Sequence, residues 1–545
     1  MRKISILFIL LALLGIITGC SGDYTGREIP GIETASLEIN KVPVFREREN
    51  KGMVRITLTV QDNTDPMELT SIELFFEQSG DPSILKSISA EYYPAEEENA
   101  VPVPFGTIRT VAHKSKIIGM GVLGQGTQVI SLNFEIKEDA LLEKSFRVEK
   151  VRLTFKGAGK TDLISQERFA FRPGLVLRAA GQDNCDTYRI PGIITTGKGT
   201  LIAVYDNRYN NSKDLQEDVD VGMSRSTDGG QTWEPMRVIM DMGEWGGRPE
   251  RLNGIGDPSV LYDPNTGTIW VAALWMSGLS HDQMLWWASQ PGMSPEETGQ
   301  FILVKSTDDG LTWSEPNNIT EQIKDPAWQL LLQGPGAGIT MSDGTLVFPA
   351  QFKADIGEKA LDGGQHTSHS TIIYSRDGGE TWQIGTGAKP NTTEAQVVQL
   401  VDGSLMLNMR DDKNRRDKGE TNGRAVAITH DLGNTWTMHP SSNSALPEPN
   451  CMASLIAADL PVNGQKQQVL FFSNPNSKTA RVNMTIKASA DGGNTWPELW
   501  QTELYAPAGF GYSCMTMVDD LHIGIVYEGV KELYFQKVPV KDILK

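Results

Sequence analysis

The sequence predicts an all-β chain, a six-bladed β-propeller preceded by a β-sandwich domain, and three observations predict it. A motif of the form Ser/Thr-x-Asp-x-Gly-x-Thr-Trp occurs five times, with its aspartate at Asp228, Asp308, Asp377, Asp431 and Asp491, in steps of 80, 69, 54 and 60 residues. A second repeat, a short apolar strand, a Gly-containing turn and another apolar strand, occurs six times after residue 175. Helical periodicity is scarce, and glycine is abundant at 54 residues.

Each element of the five-copy motif has a physical task. Aspartate accepts hydrogen bonds from nearby backbone N–H groups, glycine supplies a positive φ, and tryptophan buries a large ring beside the turn. The motif therefore reads as a tight hairpin, and its spacing suits one supersecondary unit of four strands copied many times. A calcium-loop reading fails, because no copy carries the alternating Asp/Asn ligand series.

The 545 residues have room for two or three domains, and 50 basic against 68 acidic residues give a net charge of −18. That balance argues against nucleic acid or anionic lipid as the main partner. At the N-terminus, Arg2 and Lys3 precede an apolar run, Leu7 to Ile17, too short for a membrane span. The run ends at Ile17-Thr18-Gly19-Cys20, which resembles a bacterial lipoprotein cleavage box. The resemblance implies lipidation at Cys20 and a lipid-anchored protein of the bacterial cell envelope, in the periplasm or at the cell surface. Ordinary secretion and a short membrane anchor are the alternatives. Cys185, Cys451 and Cys514 are an odd set, read as buried free thiols.

Residues 21–40 are polar and are expected to form a tether. Over 41–174, Val54, Ile56, Leu58 and Val60 alternate with polar neighbours, as do Leu132, Phe134 and Ile136, and Val151, Leu153 and Phe155. This is the expected β-sandwich, ending near Arg172-Pro173-Gly174, with two open readings: a carbohydrate-binding module, or a spacer that props up the catalytic domain. Residues 175–545 are the expected propeller, about 60 residues for each blade.

In a propeller the innermost strands begin around the central axis. The first residues of the six repeats are Arg189, Asp257, Gly336, Glu394, Asn450 and Tyr512. The strands that follow end at Arg208, Trp275, Gln351, Arg410, Asn474 and Glu528. This shared register sends polar groups of distant blades to one mouth. Arg189, Arg410 and Arg481 together call for an anion, and a planar guanidinium fork suits a carboxylate. Arg481 stands beyond a strand end, so its placement is the weakest on register alone. Glu394 can take the proton of Tyr512, a phenol that is otherwise a poor nucleophile. A sugar bearing a carboxylate at its reacting carbon would repel a carboxylate nucleophile, and a neutral tyrosine avoids that penalty.

At this point a resemblance becomes specific. Residues from about 180 to 535 resemble a retaining bacterial exo-α-sialidase (neuraminidase), a family whose propellers carry Asp-box repeats like the five copies above. Tyr188-Arg189-Ile190-Pro191 matches that family's YRIP motif. The match implies that Arg189, Arg410 and Arg481 bind the sialic acid carboxylate, that Tyr512 is the nucleophile with Glu394 as its partner, and that Glu528 steadies Arg189. It further implies that Asp214 is the acid/base and that Asp257 and Arg208 contact the sugar's substituents. Asp218 and Asp220 share the loop of Asp214, so sequence leaves the acid open among them. The segment from Trp275 to Gln300, with Trp286 and Trp287, matches no motif; it is read as a rim on the leaving-group side or as buried packing. No cofactor and no metal is expected, since His and Cys form no cluster. The implied partners are sialylated glycoproteins, glycolipids or oligosaccharides, acted on by a monomer. A trans-sialidase or intramolecular trans-sialidase on the same scaffold, or a non-catalytic sialic-acid-binding propeller, are the alternative functions.

Overall fold

The computed structural model describes residues 29–62, 64–96, 100–215, 218–277, 285–462 and 464–545. Cys20 lies outside them. The described chain is all-β apart from single helical turns, and it divides into two units.

The first unit holds the described residues up to Asn40, Lys51–Phe134 and Phe146–Ala170. It has two sheets, one of five strands and one of four. The alternating residues expected in Asn50–Val60, Gly126–Ile136 and Val148–Phe155 are all buried. Phe146 joins the two sheets, its ring 5.7 Å from Phe76 of one and 5.7 Å from Phe134 of the other.

Two expectations are corrected here. The segment 21–40 is not a tether throughout, because Ile32–Ile39 is an edge strand paired antiparallel with Asn50–Val60. Its buried Ile32, Ala35, Leu37 and Ile39 are the apolar side of a polar-looking segment. The span 41–174 is also not continuous: the first unit ends at Ala170, close to the expected end, while Lys41–Asn50 and Glu135–Ser145 belong to the second unit. Strand Pro173–Arg178 pairs antiparallel with Leu533–Pro539, the far end of the chain, and its first two residues pair with Val44–Phe45. Such long-range pairing has no local signal.

The described residues of the second unit form five sheets, one of them of nine strands, and the strands expected at the axis are Thr187–Thr195, Asn253–Asp263, the broken run Leu330–Gln333 to Ile339–Thr340, Thr392–Gln399, Ser454–Val462 and Ser513–Asp519. The third begins at Leu330, earlier than the expected Gly336, because Leu330–Gln333 already pairs with Leu346–Ala354. The ring closes where the first inner strand meets the last. Ile193 N donates to Cys514 Sγ at 3.4 Å, and Thr195 Oγ1 lies 3.0 Å from Thr516 Oγ1. Pro173–Arg178 completes the last blade from outside, the arrangement of a closed β-propeller.

The five Asp hairpins take the expected form. In the first, Asp228 Oδ1 accepts from Thr232 N at 3.0 Å and Oδ2 from Thr232 Oγ1 at 2.6 Å, while Gly229 and Gly230 have φ of 67° and 87°. Hydrogen bonds from Thr312 and Thr381 hold the carboxyls of Asp308 and Asp377 down to about 2. The three cysteines are free and buried.

One core residue breaks the apolar rule. Lys487, 1% exposed on Met484–Ser489, has no hydrogen-bond or ion-pair partner among the described residues, and its Nζ lies 5.8 Å from the Phe472 ring centre. Burial pushes its ammonium down to about 7 from an ordinary 10.5. The unfolded chain therefore binds the extra proton between those values, and stability rises with pH across that window. Lys487→Met is expected to raise stability by ~2 kcal/mol near pH 7. The gain should shrink toward pH 10, where the wild-type lysine is neutral in the fold. Urea denaturation at both pH values reads it, and an unchanged or lowered midpoint at pH 7 would contradict the account.

Candidate active site

The inner strands are irregular where they reach the axis. Their register breaks between Arg189 and Gly192, between Gly256 and Ser259, and between Thr392 and Ala395. Beside these breaks and at the matching places of other blades the backbone turns left-handed: Ile190 at φ 56°, Asp257 at 54°, Asn450 at 60° and Gly511 at 86°. A β-branched residue there costs about 1–3 kcal/mol and persists only where the surroundings impose it. Each bulge turns one side chain from the sheet face into the mouth.

The result is a cavity of about 300 Å³ lined by Asp214, Asp257, Glu394, Arg410 and Tyr512, with Trp286, Trp287, Leu332 and Gln351 among the residues of its remaining wall. Tyr512 is its centre. The phenol donates a short hydrogen bond to Glu394 Oε1, and Arg410 Nη1 donates to Tyr512 Oη at 3.1 Å and to Glu394 Oε2 at 2.6 Å. The guanidinium carbons of Arg189 and Arg481 lie 5.1 and 5.5 Å from the Tyr512 ring centre. Burial and the Glu394 charge push the phenol well above its ordinary value, against the pull of the three arginines. In the resting site it is neutral.

Glu528 sits beneath, with 1% of its surface exposed. Its Oε1 accepts from Arg189 Nε at 3.1 Å and Ile190 N at 2.9 Å, and its Oε2 from Tyr512 N at 2.9 Å. Arg481 has no carboxylate partner among the described residues; its Nη1 donates to Phe510 O at 2.7 Å. Arg189 and Arg208 both donate to Asp214 Oδ1, at 3.1 and 2.8 Å. Burial favours the protonated acid, but the two guanidiniums outweigh it and hold Asp214 at about 2. Asp257 goes the other way: burial and the charges of Asp206 and Asp214 raise it well above the carboxylate range.

All nine residues expected at the mouth are thus brought together, Arg481 included. Of the three loop aspartates, Asp214 lines the cavity, whereas Asp220 Oδ2 accepts from Tyr209 Oη at 2.8 Å. Trp286 and Trp287 stand on the cavity wall, the rim reading. Two further residues of the shared register were given no role from sequence. Asp206, fully buried, accepts from Arg208 Nε and Nη2 at 3.1 and 2.8 Å and from Asp257 N at 2.8 Å, so one carboxylate orients both neighbours. Asn450 Oδ1 accepts from Arg410 Nη2 at 2.9 Å. The signal for both was their place in the register, at a strand end and a strand start.

Fold and site define a class: a propeller whose axis carries a pocket of interleaved arginines and carboxylates built around a phenol. Comparison with known proteins narrows it. The family described as BNR repeat-like domain matches residues 199–525. A sialidase of Bacteroides fragilis (strain YCH46) is 41% identical, covering 100% of both chains. The solved structure of Hadza microbial sialidase Hz136 superposes with a TM-score of 0.80 at 39% identity, over 93% of this chain and 99% of that one. The intramolecular trans-sialidase from Ruminococcus gnavus shares the fold at TM-score 0.53 and 18% identity, over 68% of this chain and 98% of its own. The chain belongs to the sialidase family with BNR repeats.

Proposed function

We propose that the protein is a glycoside hydrolase, an exo-α-sialidase that removes terminal sialic acids from glycoproteins, glycolipids or oligosaccharides, with retention through a covalent intermediate on Tyr512. The observation that carries this is the packing of three guanidiniums around one phenol that is hydrogen-bonded to Glu394. Arg189, Arg410 and Arg481 take the substrate carboxylate, and Arg208 and Asp257 meet the ring substituents. A cavity of about 300 Å³ has room for one sugar, which favours attack at a chain end.

The resting ion pairs suggest how the acid acquires its proton. Arg189 Nη1 is occupied by Asp214 in the free site. An incoming carboxylate competes for that guanidinium and adds a negative charge beside Asp214. Both effects raise the Asp214 carboxyl from about 2. Asp214 then protonates the departing oxygen. Tyr512, passing its proton to Glu394, attacks the anomeric carbon; water activated by Asp214 frees the sugar.

Proton NMR of a sialoside during hydrolysis tests the stereochemistry. The first sialic acid signals are expected to be those of the α-anomer, converting later to β. Initial release as the β-anomer would exclude the covalent intermediate, and an anhydro or transferred product would replace hydrolysis by transglycosylation.

A further inference from the structure

We infer that Leu215, Asp362 and Lys353 are positioning residues for Asp214: they tie the acid's loop to the short helix Leu285–Ala288 and so govern cleavage of sialosides whose leaving group is an unactivated sugar hydroxyl. The inference rests on the reading of Asp214 as the acid. Its side chain is 47% exposed, and of its two ion pairs the one to Arg189 is the pair the substrate contests, which leaves Arg208 alone to hold the carboxylate during reaction. Arg208 holds the start of the loop, donating to Ser212 O and Lys213 O at 2.9 Å each; on the far side of Asp214 the loop needs a second hold.

Leu215 supplies one. Only 1% of it is exposed, and it belongs to one apolar cluster with Leu274, Leu332 and Ala288, against which the partly buried Trp286 packs. Its backbone is left-handed at φ 39°, a strained conformation for leucine. Gly256 leaves the space for it: a Cβ there would lie 2.6 Å from Leu215 Cδ2. Turning the leucine inward points the preceding Asp214 to the cavity.

A four-residue helix cannot hold itself in place. Trp286 Nε1 donates to Asp362 Oδ2 at 2.7 Å, and Lys353 Nζ donates to the same oxygen at 3.2 Å. The Lys353 ammonium lies 4.1 and 4.8 Å from the ring centres of Trp286 and Trp287. Lys353 and Asp362 are 1% and 3% exposed, and Asp362 Oδ1 also accepts from Gly364 N at 2.8 Å. A buried ion pair adds little net stability, so its use here is to hold one geometry. Lys353 and Asp362 thus hold Trp286, Trp286 packs on the apolar cluster that contains Leu215, and Leu215 is the chain neighbour of Asp214.

Two substrates separate this role from a merely structural one. A 4-nitrophenyl sialoside releases a stabilised phenolate and needs little proton transfer; a sialyl-galactoside needs the acid. Leu215→Ala and Asp362→Asn are expected to lower kcat/KM, the constant that reads formation of the covalent intermediate and not its later breakdown by water, on the galactoside by ~10²-fold, a loss typical of a group displaced by about an ångström. The aryl substrate should be nearly unaffected, Leu215→Met should restore the galactoside, and Asp214→Ala should discriminate in the same sense by ~10²–10⁴-fold. Equal losses on both substrates in Leu215→Ala and Asp362→Asn, or no loss on either, overturn the positioning role. Failure of Asp214→Ala itself to discriminate would overturn the acid assignment instead, and the inference with it. Asp362→Asn leaves the apolar cluster intact, so its result stands even where Leu215→Ala fails to fold.

Discussion

Tyr512→Phe is expected to lower turnover of an aryl sialoside by ~10⁴-fold or more, the scale seen when a catalytic nucleophile is removed, while sialic acid still binds. The substitution deletes one oxygen. Glu394 Oε1 loses its donor and Arg410 Nη1 loses one of its acceptors, but Arg410 keeps Glu394 Oε2 and Asn450 Oδ1. The ring stays, and with it the surface against which Arg189 and Arg481 lie. Carboxylate recognition and bond cleavage should therefore separate. Steady-state kinetics gives the first quantity and calorimetric titration with sialic acid the second. Turnover close to wild type would remove the nucleophile assignment; lost binding together with lost turnover would mean that the phenol is part of the anion site.

Glu528→Gln should lose both stability and activity, although it changes one atom. The carboxylate accepts three hydrogen bonds, two on Oε1 and one on Oε2, and every donor is fixed by backbone or by the Arg189 guanidinium. A glutamine has one acceptor oxygen and must set its NH₂ against a donor. It also leaves the buried Arg189 without its enclosed counter-charge. Breaking such a pair costs about 3–5 kcal/mol. The midpoint of urea unfolding should fall accordingly, and kcat/KM should fall further, because the lost bonds reach the backbone of Tyr512 and the side chain of Arg189. A variant with wild-type midpoint and wild-type kcat/KM would show that Glu528 holds nothing that matters.

Much of the site was legible because the fold repeats itself. Arg189, Asp257, Glu394, Asn450 and Tyr512 hold one place in successive copies of the same strand pair, so a register read along the chain converts directly into a shared location. Asp214 was less legible. It stands on a loop with Asp218 and Asp220, and loops carry no register. What separates the three is environment: two guanidiniums at Asp214, a tyrosine hydroxyl at Asp220. Strand Ile32–Ile39 was missed because a lone edge strand with two exposed glutamates looks polar. That Pro173–Arg178 belongs with the far end of the chain was not legible, because its partner is Leu533–Pro539.

The order of residues alone determined the β architecture, the copied hairpins and the cast of charged and phenolic groups, since alternation, turn chemistry and repeat phase are all local properties of the chain. Tertiary structure decided what each group faces. Asp206 orients Arg208 and Asp257, Glu528 joins the two ends of the ring, and Trp286 reaches Asp362. The contacts of Asp206 with Asp257, of Glu528 with Ile190 and of Trp286 with Asp362 bridge separate blades or distant loops, and hydrogen bonding and burial assign such partners only once the ring has closed.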